Sequence, residues 1–271
     1  MSSLVFNWYP GHMKKSVQLI HEVKKNVDLF VEILDARAIK TSHNDELVSS
    51  LKKKVISIAM KSDLAPTYLE RKGIFIGSIF EKQIFAKVLN FIKNELSGKL
   101  RYYQRKGLLN PQFNLMVVGL PNVGKSAFIK MMTKGKRSIC ISNQPGVTKA
   151  IARYKINKHL FIYDAPGIWF KKVNDFETGA KLALINTIKH DVLPLYDLVE
   201  YAYKFWCSFD YRQMEKFFAP MSLQDNFENF LLNYCQAKKF LLKNNQLDKI
   251  RCLQHFLKLF INGKIGVVNY D

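Results

Sequence analysis

Cysteine is scarce in this chain. Four stand among 271 residues (Cys140, Cys207, Cys235 and Cys252), and none is in a C-x-x-C spacing. That argues against a disulfide framework or a thiolate metal site and fits a reducing compartment. Long apolar runs are missing too. None approaches the roughly 18 residues of a membrane span. Leu4-Val5-Phe6 precedes the first lysines, the reverse of a signal peptide, and there is no Arg-rich presequence. The expected location is the cytoplasm. His21, His43, His159, His190 and His255 are scattered, so no metal is assigned to them, and no Ser-His-Asp arrangement or internal repeat is visible.

Acid is the other shortage, with 22 Asp and Glu against 42 Lys and Arg. The imbalance is local. Residues 1–175 carry 30 basic against 12 acidic side chains, and residues 176–271 carry 12 against 10. One bound nucleotide does not need so much charge, and a polyanionic partner does, RNA before membrane. A lysine-rich composition bias is the plain alternative, since 34 of the 42 basic residues are Lys. Hydrophobic residues make up 48%, a globular composition.

The most informative stretch is Gly119-Leu120-Pro121-Asn122-Val123-Gly124-Lys125-Ser126. It follows the apolar run 115–118 and precedes a helix start at Ala127-Phe128-Ile129. Strand, Gly-rich turn, Gly-Lys-Ser and helix together form a phosphate-binding loop. Its backbone N–H groups cradle phosphate oxygens, Lys125 reaches the β- and γ-phosphates, and the Ser126 hydroxyl can ligate Mg²⁺. The helix N-terminus adds partial positive charge.

Partners for that loop follow in order. Asp164-x-x-Gly167 ends a strand 38 residues after Ser126. Asp164 can hold Mg²⁺ through water, and the Gly167 amide can meet a γ-phosphate. Thr148, in the loop between, can ligate Mg²⁺ when that phosphate is present, so this loop is expected to order with the triphosphate. Upstream, Met60-Lys61-Ser62-Asp63 ends the apolar run 54–60. A carboxylate at Asp63 can accept the two hydrogen bonds guanine offers and adenine does not, while the Lys61 stem covers the base. Gly77-Ser78 is expected to add a backbone contact to the base. The ligand is therefore GTP or GDP.

The remaining pattern predicts strands over 27–34, 54–60, 73–77, 152–156 and 160–163. It predicts helices around 17–27 (Val17, Ile20, Val23 and Val27 on one face) and over 84–96. A basic linker is expected over 97–107, with Tyr102 and Tyr103 either stacking on RNA or packed. Alternating strands and helices imply an α/β, doubly wound, mainly parallel sheet. From residue 176 Gly and Pro thin out, and helices are expected over 177–190, 195–206, 224–235 and 247–262, with a short strand at 265–268. The aromatics after 195 (Tyr196, Tyr201, Tyr203, Phe205, Trp206) read as core. Two domains are expected, 1–175 and 176–271.

The order of motifs is unusual. The base reader precedes the phosphate loop, the reverse of ordinary GTPases. With Trp8-Tyr9-Pro10-Gly11-His12-Met13 and Leu34-Asp35-Ala36-Arg37 as well, residues 5–172 resemble the ribosome biogenesis GTPase A family (the RbgA or YlqF type), whose GTPase fold is circularly permuted. The resemblance implies GTP hydrolysis coupled to late assembly of the large (50S) ribosomal subunit, through rRNA contacts. It also implies an accessory helical domain. DNA and membrane are not expected partners, and a monomer is expected. Ile168 stands where many GTPases carry a water-positioning Gln, and the resemblance points to His12 as the replacement. It also likens Asn122 to the asparagine through which related GTPases hold K⁺. Met60 stands where the family's base motif has Asn, which weakens the tie between base motif and phosphate loop. The competing reading is a non-catalytic RNA-binding scaffold with a vestigial GTPase fold.

Overall fold

The computed structural model describes residues 18–67, 71–135, 151–165, 167, 173, 175–223 and 226–271. It divides near residue 174 into two compact units. The first is built on a six-stranded sheet of order β3-β2-β1-β4-β6-β5. Its strands are β1 (Leu29–Asp35), β2 (Val55–Met60), β3 (Ile74–Ile76), β4 (Phe113–Val118), β5 (Ala152–Lys155) and β6 (Leu160–Asp164). All neighbours are parallel except β5 and β6, the hairpin expected from the sequence. The helices are α1 (Ile39–Ser42), α2 (Asp45–Leu51), α3 (Ile84–Arg105) and α4 (Lys125–Met132).

Central β1 is buried along its whole length, as a strand with parallel neighbours on both sides requires. Residues 18–23 are helical, and Ile20, Val23 and Val27 pack with Phe30, Leu47, Leu51, Met116 and Val118 on one face of the sheet. Val17 lies outside the described residues. Glu32, buried mid-strand, receives the Asn44 amide (3.0 Å) and lies 2.7 Å from His43 Nδ1. Asn44 in turn caps α2 through the Leu47 amide.

The basic linker expected over 97–107 is instead the end of α3, which runs 22 residues to Arg105. Ser97-Gly98 reads as punctuation, and Gly costs a helix about 1 kcal/mol. The buried series Ile84, Val88, Ile92, Leu96 continues past it. Tyr103 packs against Phe113 at 6.0 Å between centroids, and Lys99 pairs with Asp28, so tertiary contacts override the local signal.

The second unit is helical: α5 (Phe176–Leu184), α6 (Leu195–Phe209), α7 (Tyr211–Phe218), α8 (Phe227–Ala237) and α9 (Lys249–Ile261). Asp175, Asp210, Asn226 and Asp248 cap four of them with their side chains. Two expectations are corrected here. The helix expected over 177–190 stops at Leu184, and α7 was not foreseen. No strand forms at 265–268 among the described residues. Ile265, Val268 and Tyr270 are buried as side chains, and the Ile265 carbonyl accepts from Gln213 Nε2 at 2.6 Å instead of from a neighbouring strand.

The aromatics after 195 are largely core. Trp206 and Tyr203 are buried, and Phe256 stacks on Phe218 (5.3 Å) and meets Phe230 edge-on (5.6 Å); Tyr196 is partly exposed. Phe256→Ala is expected to cost about 3–5 kcal/mol. Urea unfolding followed by circular dichroism checks this, and a loss under about 1 kcal/mol would mean the cluster repacks.

Candidate functional site

The chain runs outward from β1 to β3, then returns to place β4 on the other side of β1. That makes the crevice between β1 and β4 a topological switch point, where open α/β sheets bind ligands. The phosphate loop lies there. Glu32 pairs with Val118, so the chain turns at Gly119 beside Ile33. A Cβ at Gly119 would lie 2.5 Å from the Ile33 carbonyl oxygen, and φ is +139°, so only glycine fits. The turn continues through Asn122 (φ 57°) to Gly124, the N-cap of α4. Val123 is buried, Ala127 is half-buried, and Ser126 is exposed in the first turn of α4.

Lys125 is 8% exposed, and its Nζ donates to the Leu120 carbonyl at 2.5 Å. Burial pushes its pKa down to about 8, against the pull of Asp164. Asp164 ends β6 half-buried, and burial raises its carboxyl more than Lys125 lowers it. A Cβ at Gly167 would lie 3.2 Å from Lys125 Nζ and 3.5 Å from Pro121 Cα. The fold thus brings Lys125, Asp164 and Gly167 together. Asp164 and Ser126 offer oxygen donors of the kind a hard divalent cation takes. His12 and Thr148 lie outside the described residues.

The base motif stands across the crevice. Met60 is buried, and its Cβ lies 3.7 Å from where a Gly124 Cβ would sit, so it packs on the phosphate loop. Lys61, in the left-handed region, sends Nζ to Asp35 Oδ2 (2.7 Å) and to the Asn122 carbonyl (2.8 Å). Asp35 is fully buried and also accepts from Arg37 Nε (3.0 Å), Nη2 (2.9 Å) and backbone N (3.1 Å). Burial alone raises this carboxyl. The Arg37 and Lys61 cations outweigh that and hold it below its ordinary value. Asp63 receives Ser78 Oγ at 2.5 Å. The Gly77 amide goes to the Ala59 carbonyl (3.0 Å) and the Gly77 carbonyl accepts the Ser62 amide (3.3 Å), so this segment braces the base motif.

The roles of Asp35 and Arg37 were missed by sequence reasoning. Their signal was an Asp-x-Arg at the end of a buried strand, but its partner Lys61 is 26 residues away.

The chain matches the family described as 50S ribosome-binding GTPase over residues 114–216. It is 34% identical to the probable ribosome biogenesis GTPase A of Mycoplasma genitalium, over 100% of this chain and 98% of that one. It is 27% identical to ribosome biogenesis GTPase A of Priestia megaterium, over 99% and 97%. Its fold is similar to that of GNP-bound YlqF from T. maritima, with TM-score 0.68, 22% identity, and 95% and 97% of the two chains covered.

Three outcomes follow from this geometry. Asp35→Asn removes the buried carboxylate that holds both the Arg37 guanidinium and the Lys61 ammonium and is expected to cost about 3–5 kcal/mol of stability. It also weakens GDP binding non-additively with Lys61→Met. A coupling of about 1–3 kcal/mol in a calorimetric double-mutant cycle is expected, and additivity would break the proposed link. For Lys125 the pH sign is fixed by its partners. A phosphate stabilises the ammonium and raises its pKa from about 8, so binding takes up a proton above that pH. GDP affinity is expected to be flat below pH 7 and to fall by up to tenfold per unit above about 8. Arg at 125 stays charged, so Lys125→Arg should abolish that fall.

Proposed function

Because this chain belongs to the ribosome biogenesis GTPase A family, we propose that it binds the large ribosomal subunit during late assembly and couples GTP hydrolysis to that step. The observation that carries the catalytic part is Lys125 held within reach of Gly167 and Asp164, with Lys61 of the base motif tied to the phosphate loop at Asn122. A scaffold with a vestigial fold has no need of this set, and membership in a GTPase family also argues against it.

In this reading Asp63 reads guanine, steadied by Ser78, with Lys61, Ser62 and Gly77 around the base and Met60 packed behind it. The loop amides from Asn122 to Ala127 cradle the phosphates. Lys125 stabilises charge on the transferring phosphoryl group, and the Gly167 amide senses the γ-phosphate. Ser126, Thr148 and Asp164 are the residues that would hold Mg²⁺, whose chemistry is to neutralise charge on the β- and γ-oxygens. Asn122 would hold K⁺. Ile168 cannot orient water, so His12 takes that role. Slow intrinsic turnover, stimulated by the subunit, follows from the missing glutamine. The cytoplasm, contact with rRNA, a monomeric chain, and division of labour between a GTPase domain over 1–175 and a subunit-binding helical domain over 176–271 belong to the same reading. Among the described residues no helix is long and apolar enough to cross a membrane.

The test is GTP turnover with and without purified large subunits, in K⁺ and in Na⁺. Turnover is expected to be slow alone, to rise at least about tenfold with subunits, and to drop in Na⁺. His12→Ala should remove the stimulation. No turnover under any of these conditions overturns the reading, and equal rates in K⁺ and Na⁺ overturn the role given to Asn122.

A further inference from the structure

The end of the sheet opposite the phosphate loop carries a second concentration of charge, built from segments far apart in sequence. A single turn of 3-10 helix spans Lys24–Asn26, and the Lys52-Lys53-Lys54 turn leads into β2. Lys53 Nζ knits them together, donating to the carbonyls of Lys24 (2.5 Å), Lys25 (3.2 Å) and Val27 (2.7 Å). The last turns of α3 join through Lys54 Nζ, 2.8 Å from Glu95 Oε2, and through the Lys99–Asp28 pair. β4 joins through the Asn114 amide on Asp28 Oδ2 (2.7 Å) and Asn114 Nδ2 on the Asn26 carbonyl (3.0 Å).

The two carboxylates in this knot, Asp28 and Glu95, are each already matched by a lysine. Around them stand exposed cations that make no ion pair among the described residues: Lys25, Lys52, Arg101 and Arg105. The crowding is felt locally. Burial first, and then the charges of Lys99 and Lys24, hold the Lys53 ammonium below its ordinary pKa. Tyr102, which the sequence left open between stacking and packing, is 53% exposed with Lys106 Nζ 4.8 Å from its ring centre; Tyr103 is the packed one.

We propose that this face is an RNA-binding surface, distinct from the nucleotide crevice, on which Lys25, Lys52, Arg101 and Arg105 contact backbone phosphates and Tyr102 stacks on an unpaired base. The choice of RNA as polyanion rests on the ribosomal reading above. Like charges repel, so an array of this kind is stabilised by an anion that spans it, and a mononucleotide is too small to reach its separate segments. The four cations come from three separate segments, the 3-10 turn, the turn before β2 and the end of α3, and not from one amphipathic helix, which fits the spaced phosphates of a folded RNA. An exposed ring flanked by cations suits a base. The six residues of β4 put this face about 20 Å from the phosphate loop, so it stays accessible with nucleotide bound.

The test uses the full chain, a variant with all four cations changed to Glu, and a second with all four changed to Gln in case the first does not fold. Binding is measured to a fluorescein-labelled RNA hairpin, to purified large subunits and to phosphatidylserine vesicles, across a salt titration. Loss of four phosphate contacts should weaken hairpin and subunit binding at least tenfold and flatten the log–log salt slope by about 3. GDP affinity and basal GTP turnover should not change. Tyr102→Ala should weaken hairpin binding about fivefold or more without changing the salt slope. Variants that bind hairpin and subunits as the parent does, with the parent's slope, overturn the proposal while leaving the ribosomal reading standing. Face-dependent binding to vesicles alone also overturns it. Face-dependent hairpin binding by a protein that ignores large subunits supports the RNA surface and overturns the ribosomal reading instead.

Discussion

Lys61 carries one charge and meets two oxygens, the Asp35 carboxylate and the Asn122 carbonyl. That contact joins three segments that meet at the crevice: the end of β1, the turn after β2 and the phosphate loop. A buried carboxylate with one partner is costly, and Asp35 avoids that cost by accepting a guanidinium fork as well as the ammonium. The left-handed backbone at Lys61 aims the stem across the crevice in place of following the strand direction. Met60 then has only to fill space behind it. In this chain the polar tie between base motif and phosphate loop is carried by the lysine, with apolar packing at position 60.

The strand order makes such a tie necessary. β1 and β4 are adjacent, yet 77 residues separate the end of one from the start of the other. Their ladder fixes Gly119 against Ile33, leaving no room for a Cβ. The backbone thereby sets where the phosphate loop begins, and Lys61 sets how it faces the base motif. In an order that starts with the base reader, the chain itself does little to hold these parts in register, so side chains do it.

Much of this arrangement was legible in the sequence, because the phosphate loop, base motif and Asp-x-x-Gly are local and each sits at the end of an apolar strand. Five of the six strands were visible as short apolar runs, and β5 as the partner of β6 in an expected hairpin. What escaped depended on distant partners. Gly98 looked like a helix breaker until Leu96, Tyr103 and Lys99 found their contacts. Asp210 both closes α6 and caps α7, so no Gly or Pro marked the joint. Apolar residues at 265–268 suggested a strand, but the burial of Ile265 and Val268 is met by side-chain packing. Asp35 looked like part of a family motif with no chemistry of its own, since nothing nearby in sequence revealed Lys61 as its partner.

The bond from Ser78 to Asp63 has one more consequence. An exposed carboxylate can spin about its last torsion, and each orientation presents its lone pairs to a different plane. Ser78, itself almost buried, grips Oδ1 and stops that rotation. If Asp63 is the guanine reader, as proposed above, recognition then has an angular requirement as well as a chemical one. In that reading a guanine would have to bring its edge into the plane Ser78 sets, so the right donors on a tilted ring would be refused along with a base that lacks them.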